Sequence, residues 1–235
     1  MSEQQPNESI SFSRFADWCR HIDSLSEGAR HTVKVLLKKA GTDDAEAAEQ
    51  ILSSMTKLDL SNTGISDISS LGSLTNLTTL HLGESLTTVI SSNQITDISS
   101  LGSLTNLTTL HLGGNQITDL RSLGSLTNLT TLILYGNQIT DISALRSLTH
   151  LTTLNLSRNQ ITDISALRSL THLTILNLNY NQITDISALR SLTHLTILTL
   201  FGNQITDIAS LNDLKNNTAA RCLHYKDSGL DRFCE

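Results

Sequence analysis

Residues 107–120 read Leu-Thr-Thr-Leu-His-Leu-Gly-Gly-Asn-Gln-Ile-Thr-Asp-Leu. The phrase Asn-Gln-Ile-Thr-Asp inside this stretch recurs with its Asn at 93, 115, 137, 159, 181 and 203, so every interval is 22 residues. Six near-identical copies at one period cannot come from composition bias, and a fixed period of this size marks units that stack on one another. In Leu110-His111-Leu112 the two leucines alternate inward while His111 points out, as a short strand requires. Asn115 stands where the chain must turn. Stacked Asn side chains there can bond buried backbone groups that would otherwise lack partners. Ile117, Leu120, Leu123 and Leu126 continue inward at spacings of three, which suits a short α or 3-10 turn on the outer side, capped by Thr118 or Asp119.

Extended along the chain, the pattern L-x-x-L-x-L-x-x-N-x-I-x-x-I/L covers about 160 residues and resembles the leucine-rich-repeat signature. The fold this implies is an α/β solenoid. A curved parallel sheet forms one side, short α or 3-10 turns form the convex side, and an α-helical cap closes the N-terminal end. Leu-x-Leu cores at 58/60, 80/82, 110/112, 132/134, 154/156, 176/178 and 198/200 place seven repeats over 57–214. The first has Thr63 at the ladder position, as expected of an atypical terminal repeat. The second has a step of 30 residues, from Leu80 to Leu110, so about eight extra residues lie within 83–92. Leu86-Thr87-Thr88 resembles a slipped copy of Leu77-Thr78-Thr79, which favours a duplication accident over a functional loop.

Residues 1–10 are polar and read as a disordered tail. Residues 11–56 form the helical cap. Phe12, Phe15, Trp18, Cys19 and Ile22 follow a helical spacing. Ser26 can cap a second helix carrying Val33, Leu36 and Leu37 and closed by Gly41, and Thr42 opens a third toward Ile51 and Leu52. Residues 215–235 form a degenerate C-terminal cap. Projecting the period forward puts Ala220 and Cys222 at leucine positions, so an eighth strand around 220–223 would partly close the end, the alternative being an open edge that pairs with another copy.

Composition narrows the partners. Of 235 residues 42 are leucine, and 16 Lys and Arg against 22 Asp and Glu leave a formal charge of −6. Nucleic acid and anionic membrane both call for a surplus of cations, so neither is expected as a partner. Cys19, Cys222 and Cys234 are odd in number and widely spaced, which points to reduced thiols. The first thirty residues lack a basic start and an apolar run, so a cytoplasmic location is the expectation. Enzyme chemistry finds no foothold, since no Gly-rich phosphate loop, His-Glu-x-x-His or Gly-x-Ser-x-Gly occurs. His81 and His111 fall on adjacent strands, with no acid expected beside them. Arg146, Arg168 and Arg190, with His150, His172 and His194, form ladders on the convex side; their parallel projection argues against chelation, and no cofactor is expected.

A short helical cap followed by 22-residue repeats reading Asn-x-Ile-Thr-Asp-Ile resembles the internalin-type leucine-rich-repeat proteins of bacteria, over roughly 30–214. The resemblance implies a concave face that binds other proteins. Internal comparison points to the same face. The units 137–158, 159–180 and 181–202 agree at 18 of 22 positions. They differ at Thr153/Ile175/Ile197, Asn155/Asn177/Thr199, Ser157/Asn179/Phe201 and Arg158/Tyr180/Gly202, all on the strand's outward side or just after it. Tyr135, Tyr180 and Phe201 are the aromatics of the repeats, and all three occupy such positions; exposed aromatics are enriched in interfaces. The expected partner-binding residues are Ile133, Tyr135, Asn155, Arg158, Ile175, Asn177, Asn179, Tyr180, Ile197 and Phe201. Arg158 would supply charge, the aromatics buried area, and the three Asn hydrogen bonds. The expected function is a non-catalytic module binding a protein or peptide, monomeric or weakly dimeric. The alternatives are a structural protein self-associating through its C-terminal edge and a regulatory subunit of an enzyme such as a phosphatase.

Overall fold

The computed structural model describes residues 12–84 and 93–207 together with the backbone of 222–224. The expected tail at 1–10, all but the first two residues of the 83–92 insertion and most of the 215–235 cap lie outside the described residues.

Three helices begin the chain. In α1 (Phe15–Arg20), Phe15 and Trp18 are buried, and the N–H of Ala16 in its first turn donates to Glu49 at 2.7 Å. Phe12 meets Trp18 edge-on, with ring centroids 5.3 Å apart. Helix α2 (Glu27–Ala40) starts where Ser26 accepts from the Ala29 N–H and stops at Gly41, whose φ of 72° is the left-handed cap that glycine tolerates. Its buried stripe, Ala29, Thr32, Val33 and Leu36, follows the helical period. Helix α3 (Ala45–Ser54) is capped by Asp44 rather than by the expected Thr42: Asp44 accepts from Ala47, and Thr42 instead accepts from the Asp44 N–H. Leu52 is buried but Ile51 is exposed, so one of the two residues expected to anchor this helix faces solvent. The cap joins the first repeat through polar contacts as well, the Thr32 hydroxyl donating to the Asp67 carbonyl at 2.5 Å and His31 Nε2 lying 2.9 Å from the Thr63 carbonyl.

Eight parallel three-residue strands follow in sequence order: β1 (Lys57–Asp59), β2 (Thr79–His81), β3 (Thr109–His111), β4 (Thr131–Ile133), β5 (Thr153–Asn155), β6 (Ile175–Asn177), β7 (Ile197–Thr199) and β8 (Cys222–His224). The central leucines Leu58, Leu80, Leu110, Leu132, Leu154, Leu176 and Leu198 are in register and nearly or fully buried. The last strand departs from the projected period. Leu223 pairs with Leu198, a step of 25 residues where the period of 22 would bring Ala220 to that rung.

The return path of each coil is a five-residue 3-10 turn, from Ser69–Ser73 to Ser187–Ser191. Asp is the residue that starts it: Asp119 accepts from the Arg121 N–H, and Asp97, Asp141, Asp163 and Asp185 accept from the Ser two residues later. The expected alternative, Thr118, makes no such bond among the described residues, and hydroxyls form this kind of turn more weakly than carboxylates.

Inside, the Asn ladder accounts for backbone groups that neither strand nor turn can pair. Asn159 Oδ1 accepts from the Ile139 N–H of the preceding coil at 3.1 Å, while its Nδ2 donates to the carbonyls of Leu134 and Leu156 at 3.0 Å each. Asn115, Asn137, Asn181 and Asn203 repeat the arrangement. Asn93 does too, although Thr63 replaces Asn below it and the insertion precedes it: it reaches the carbonyls of Leu60 and Leu82. A second ladder runs along the strand entry, where Thr78, Thr108, Thr130, Thr152, Thr174 and Thr196 each donate to a Thr carbonyl one coil back.

Candidate functional site

The outward strand positions make a continuous face. In its central column stand Asp59, His81, His111, Ile133, Asn155, Asn177 and Thr199, brought into line by the strand register. Two clusters of side chains rise from it, and they divide the expected binding residues between them.

The first cluster gathers Arg158, Tyr180 and Phe201. The Arg158 guanidinium lies over the Tyr180 ring, 5.2 Å from its centroid. Tyr180 meets Phe201 edge-on, with centroids 5.0 Å apart and planes at 83°. Ile175 and Ile197 pair in register on the adjoining strands. The described residues include four exposed large hydrophobics, and Ile175, Tyr180 and Ile197 are three of them, at 36%, 47% and 41% exposure. Between the two isoleucines and the ring pair runs the Asn177 and Thr199 column.

Backbone conformation gives the cluster a cost. Arg158 and Tyr180 have φ of 56° and 53°, in the left-handed region, at the coil position where Gly114, Gly136 and Gly202 stand in other repeats. A side chain at such a φ costs roughly 1–2 kcal/mol relative to the right-handed conformation, a cost that glycine avoids. The fold asks for glycine at this point, and two consecutive coils supply long side chains instead.

The asparagines are less available than expected. Asn155 Oδ1 accepts from the N–H and hydroxyl of Ser157, Asn177 Oδ1 from the Asn179 N–H and the Thr199 hydroxyl, and Asn179 Oδ1 from the Phe201 N–H. Their oxygens are committed to the turns that set Ser157, Asn179 and Phe201. Only the amide nitrogens, which make no hydrogen bond among the described residues, are left to face a partner.

Tyr135 belongs to the second cluster. Its ring lies against Gly113, 5.8 Å from His111, and its hydroxyl donates to the Glu84 carbonyl at 3.3 Å. His111 in turn meets His81 edge-on at 5.9 Å. Tyr135 and Ile133 are thus set apart from the Tyr180 and Phe201 pair, although sequence reading grouped all of them. The space Tyr135 fills exists because position 113 is glycine, where an added Cβ would fall 2.3 Å from the ring.

Asp59, one rung below His81, is an acid that the sequence reading did not place there. Partial burial pushes its carboxyl up, but the N–H and hydroxyl of Ser61, His81 and Lys39 outweigh that and leave it below its ordinary pKa. Burial and the neighbouring His81 hold His111 below the ordinary imidazole value, and its Nε2 is buried without a partner among the described residues. Burial, with Glu84 nearby, raises the Tyr135 hydroxyl. The column from Asp59 to His111 was readable in the sequence once the three strands were aligned.

On the convex side the histidines have a structural task. His150, His172 and His194 place Nδ1 within 3.0 Å of the carbonyls of Thr127, Thr149 and Thr171. Asn76, Asn106 and Asn128 make the equivalent bond in the earlier coils. Nδ1 must carry the proton to donate, so each imidazole acts as a substitute for Asn. No group of three potential metal ligands is assembled among the described residues.

Comparison with known proteins agrees with this geometry. The family profile for leucine-rich repeats, two copies per match, aligns with residues 53–91, 89–125, 127–169 and 171–216. The chain belongs to the leucine-rich-repeat family. Within it, the chain is of the internalin type. Internalin C2 of Listeria monocytogenes is 32% identical with a TM-score of 0.61, over 82% of this chain and 91% of that one. The internalin inlF of the same organism is 34% identical with a TM-score of 0.60 over 76% of this chain. This chain spans 57% of the length of the inlF structure. A plant receptor kinase ectodomain, GASSHO1/SCHENGEN3 of Arabidopsis thaliana, solved in complex with CASPARIAN STRIP INTEGRITY FACTOR 2, is 29% identical with a TM-score of 0.53, over 62% of this chain and 18% of that one. No curated protein sequence matches the chain. Leucine-rich-repeat proteins are in general protein-binding modules.

Proposed function

We propose that this chain is a non-catalytic module that binds another protein or peptide on the concave sheet face, chiefly through Arg158, Tyr180, Phe201, Ile175 and Ile197. One observation carries the reading. Three successive units are identical except at the four concave columns, and three of the residues that vary there, Arg158, Tyr180 and Phe201, meet in one cation and aromatic cluster. Drift acting on packing alone would also have altered the convex turns. The plant ectodomain solved with its bound factor supports binding as a use of such a surface. An acidic balance of −6 favours a protein partner over nucleic acid or an anionic membrane. The odd number of cysteines supports a reducing, cytoplasmic setting as part of the same proposal.

The test is affinity capture from lysate of the source cell with the intact chain and with Tyr180→Ala, Phe201→Ala as control. A protein retained by the first and lost by the second, with the far-UV circular dichroism of both unchanged, supports the concave face. Equal capture by both refutes it. A mass that rises with concentration, and stops rising when residues 215–235 are altered, would instead favour self-association through the C-terminal edge.

A further inference from the structure

The proposed binding face also carries information about what it binds. Arg158 is the one cation among the described concave positions of β4 to β7, and no carboxylate holds it: its only partner there is the Tyr180 ring. This chain has an excess of acids to offer it. They lie elsewhere. Asp119, Asp141, Asp163 and Asp185 are tied into the 3-10 turns, and the acids on the same sheet side, Asp59 and Glu84, belong to the opposite half with His81, His111 and Tyr135.

Beside that cation stands an aromatic pair. Tyr180 and Phe201 offer rings against which a large side chain could be covered while its neighbour reaches the guanidinium. An ion pair gains strength when apolar neighbours exclude water from it. Arg158 and Tyr180 both hold left-handed backbone conformations at a glycine position, and the guanidinium lies over the ring.

We propose that this cluster recognises a segment of a partner protein in which an acidic side chain stands directly beside a large apolar one, the carboxylate pairing with Arg158 and the apolar group covering Tyr180 and Phe201. The proposal rests on the concave-face reading above and adds to it the chemistry of the partner. Asn177 and Asn179, with their oxygens committed internally, offer N–H donors to the same carboxylate or to the backbone of the segment.

The experiment is selection of a random-peptide phage library on the full chain, in parallel on Arg158→Gly, Arg158→Glu and the Tyr180→Ala, Phe201→Ala double variant. Arg158→Gly keeps the fold, because glycine is the residue other coils carry there. The intact chain should enrich peptides with Asp or Glu adjacent to Leu, Phe or Trp. Arg158→Gly should lose the acidic preference, weakening binding of the best selected peptide about tenfold, and Arg158→Glu should replace it with Lys or Arg. Peptides enriched by the intact chain and lost with the double variant, yet showing no acidic bias, would overturn this proposal while leaving the concave-face reading intact. An acidic bias unchanged in Arg158→Gly overturns it equally. No enrichment on the intact chain, or enrichment indifferent to the double variant, overturns both.

Discussion

Replacing Asn159 by alanine tests the ladder that holds the coils together. Asn159 is 8% exposed and makes its bonds entirely to backbone. Loss of the amide does not strand every partner. The Leu134 carbonyl also accepts from Asn137, the Leu156 carbonyl from Asn181, and the Ser157 carbonyl from the Gly136 N–H. The Ile139 N–H has Asn159 Oδ1 alone. The cost is therefore one buried donor left unpaired, about 1–3 kcal/mol, plus partial loss at three shared carbonyls, for roughly 2–4 kcal/mol in all. Asn159→Asp should be worse at neutral pH, because a buried carboxylate would face the Leu134 and Leu156 carbonyls with no proton to donate to either. Urea unfolding followed by far-UV circular dichroism measures both. A loss below about 1 kcal/mol in Asn159→Ala, or an aspartate variant as stable as the parent, would refute the reasoning.

Two further expectations concern the histidines. His172→Asn should leave stability within about 0.5 kcal/mol of the parent, since Asn makes the same carbonyl bond in three earlier coils, whereas His172→Leu should cost about 1 kcal/mol; equal urea midpoints for all three chains would remove the ladder role. The second follows from His111, which burial and His81 hold below its ordinary pKa of 6.5. The unfolded chain takes up a proton there that the folded chain resists, so this group costs stability as pH falls below about 6.5 and none above it. His111→Gln should reduce the drop in urea midpoint between about pH 7.5 and about pH 5.5, and an identical drop in both chains would count against the assignment.

The sequence made the solenoid legible because its hydrophobic period, its Asn column and its strand alternation all repeat, and each copy corrects for noise in the others. Where a single residue decides, reading was weaker. The spacing of three from Ile117 to Leu126 fits α and 3-10 turns alike, and only the backbone chose the latter. Both Thr118 and Asp119 are capping residues by type, and the one two residues before the turn's first N–H makes the bond. Tyr135 and Tyr180 look equivalent on a list of concave aromatics, yet they occupy neighbouring columns, 135 with Phe201 and 180 with Arg158, and glycine at 113 draws Tyr135 toward the histidines. The left-handed conformation that stacks Arg158 on Tyr180 left one trace in the sequence, glycine at the same column in coils before and after. At the C-terminal end the projection meets Ala220 at a leucine position and places a strand around 220–223, and the pairing of Leu223 with Leu198 fixes its register three residues beyond the period.

The coil between Gly83 and Asn93 is longer than its neighbours, and yet Leu58, Leu80 and Leu110 stay in register and Asn93 still reaches the carbonyls of Leu60 and Leu82. Length added at the handover from strand to Asn is therefore decoupled from the stack. That junction is a port: the spacing of the rungs on either side does not depend on how many residues pass through it.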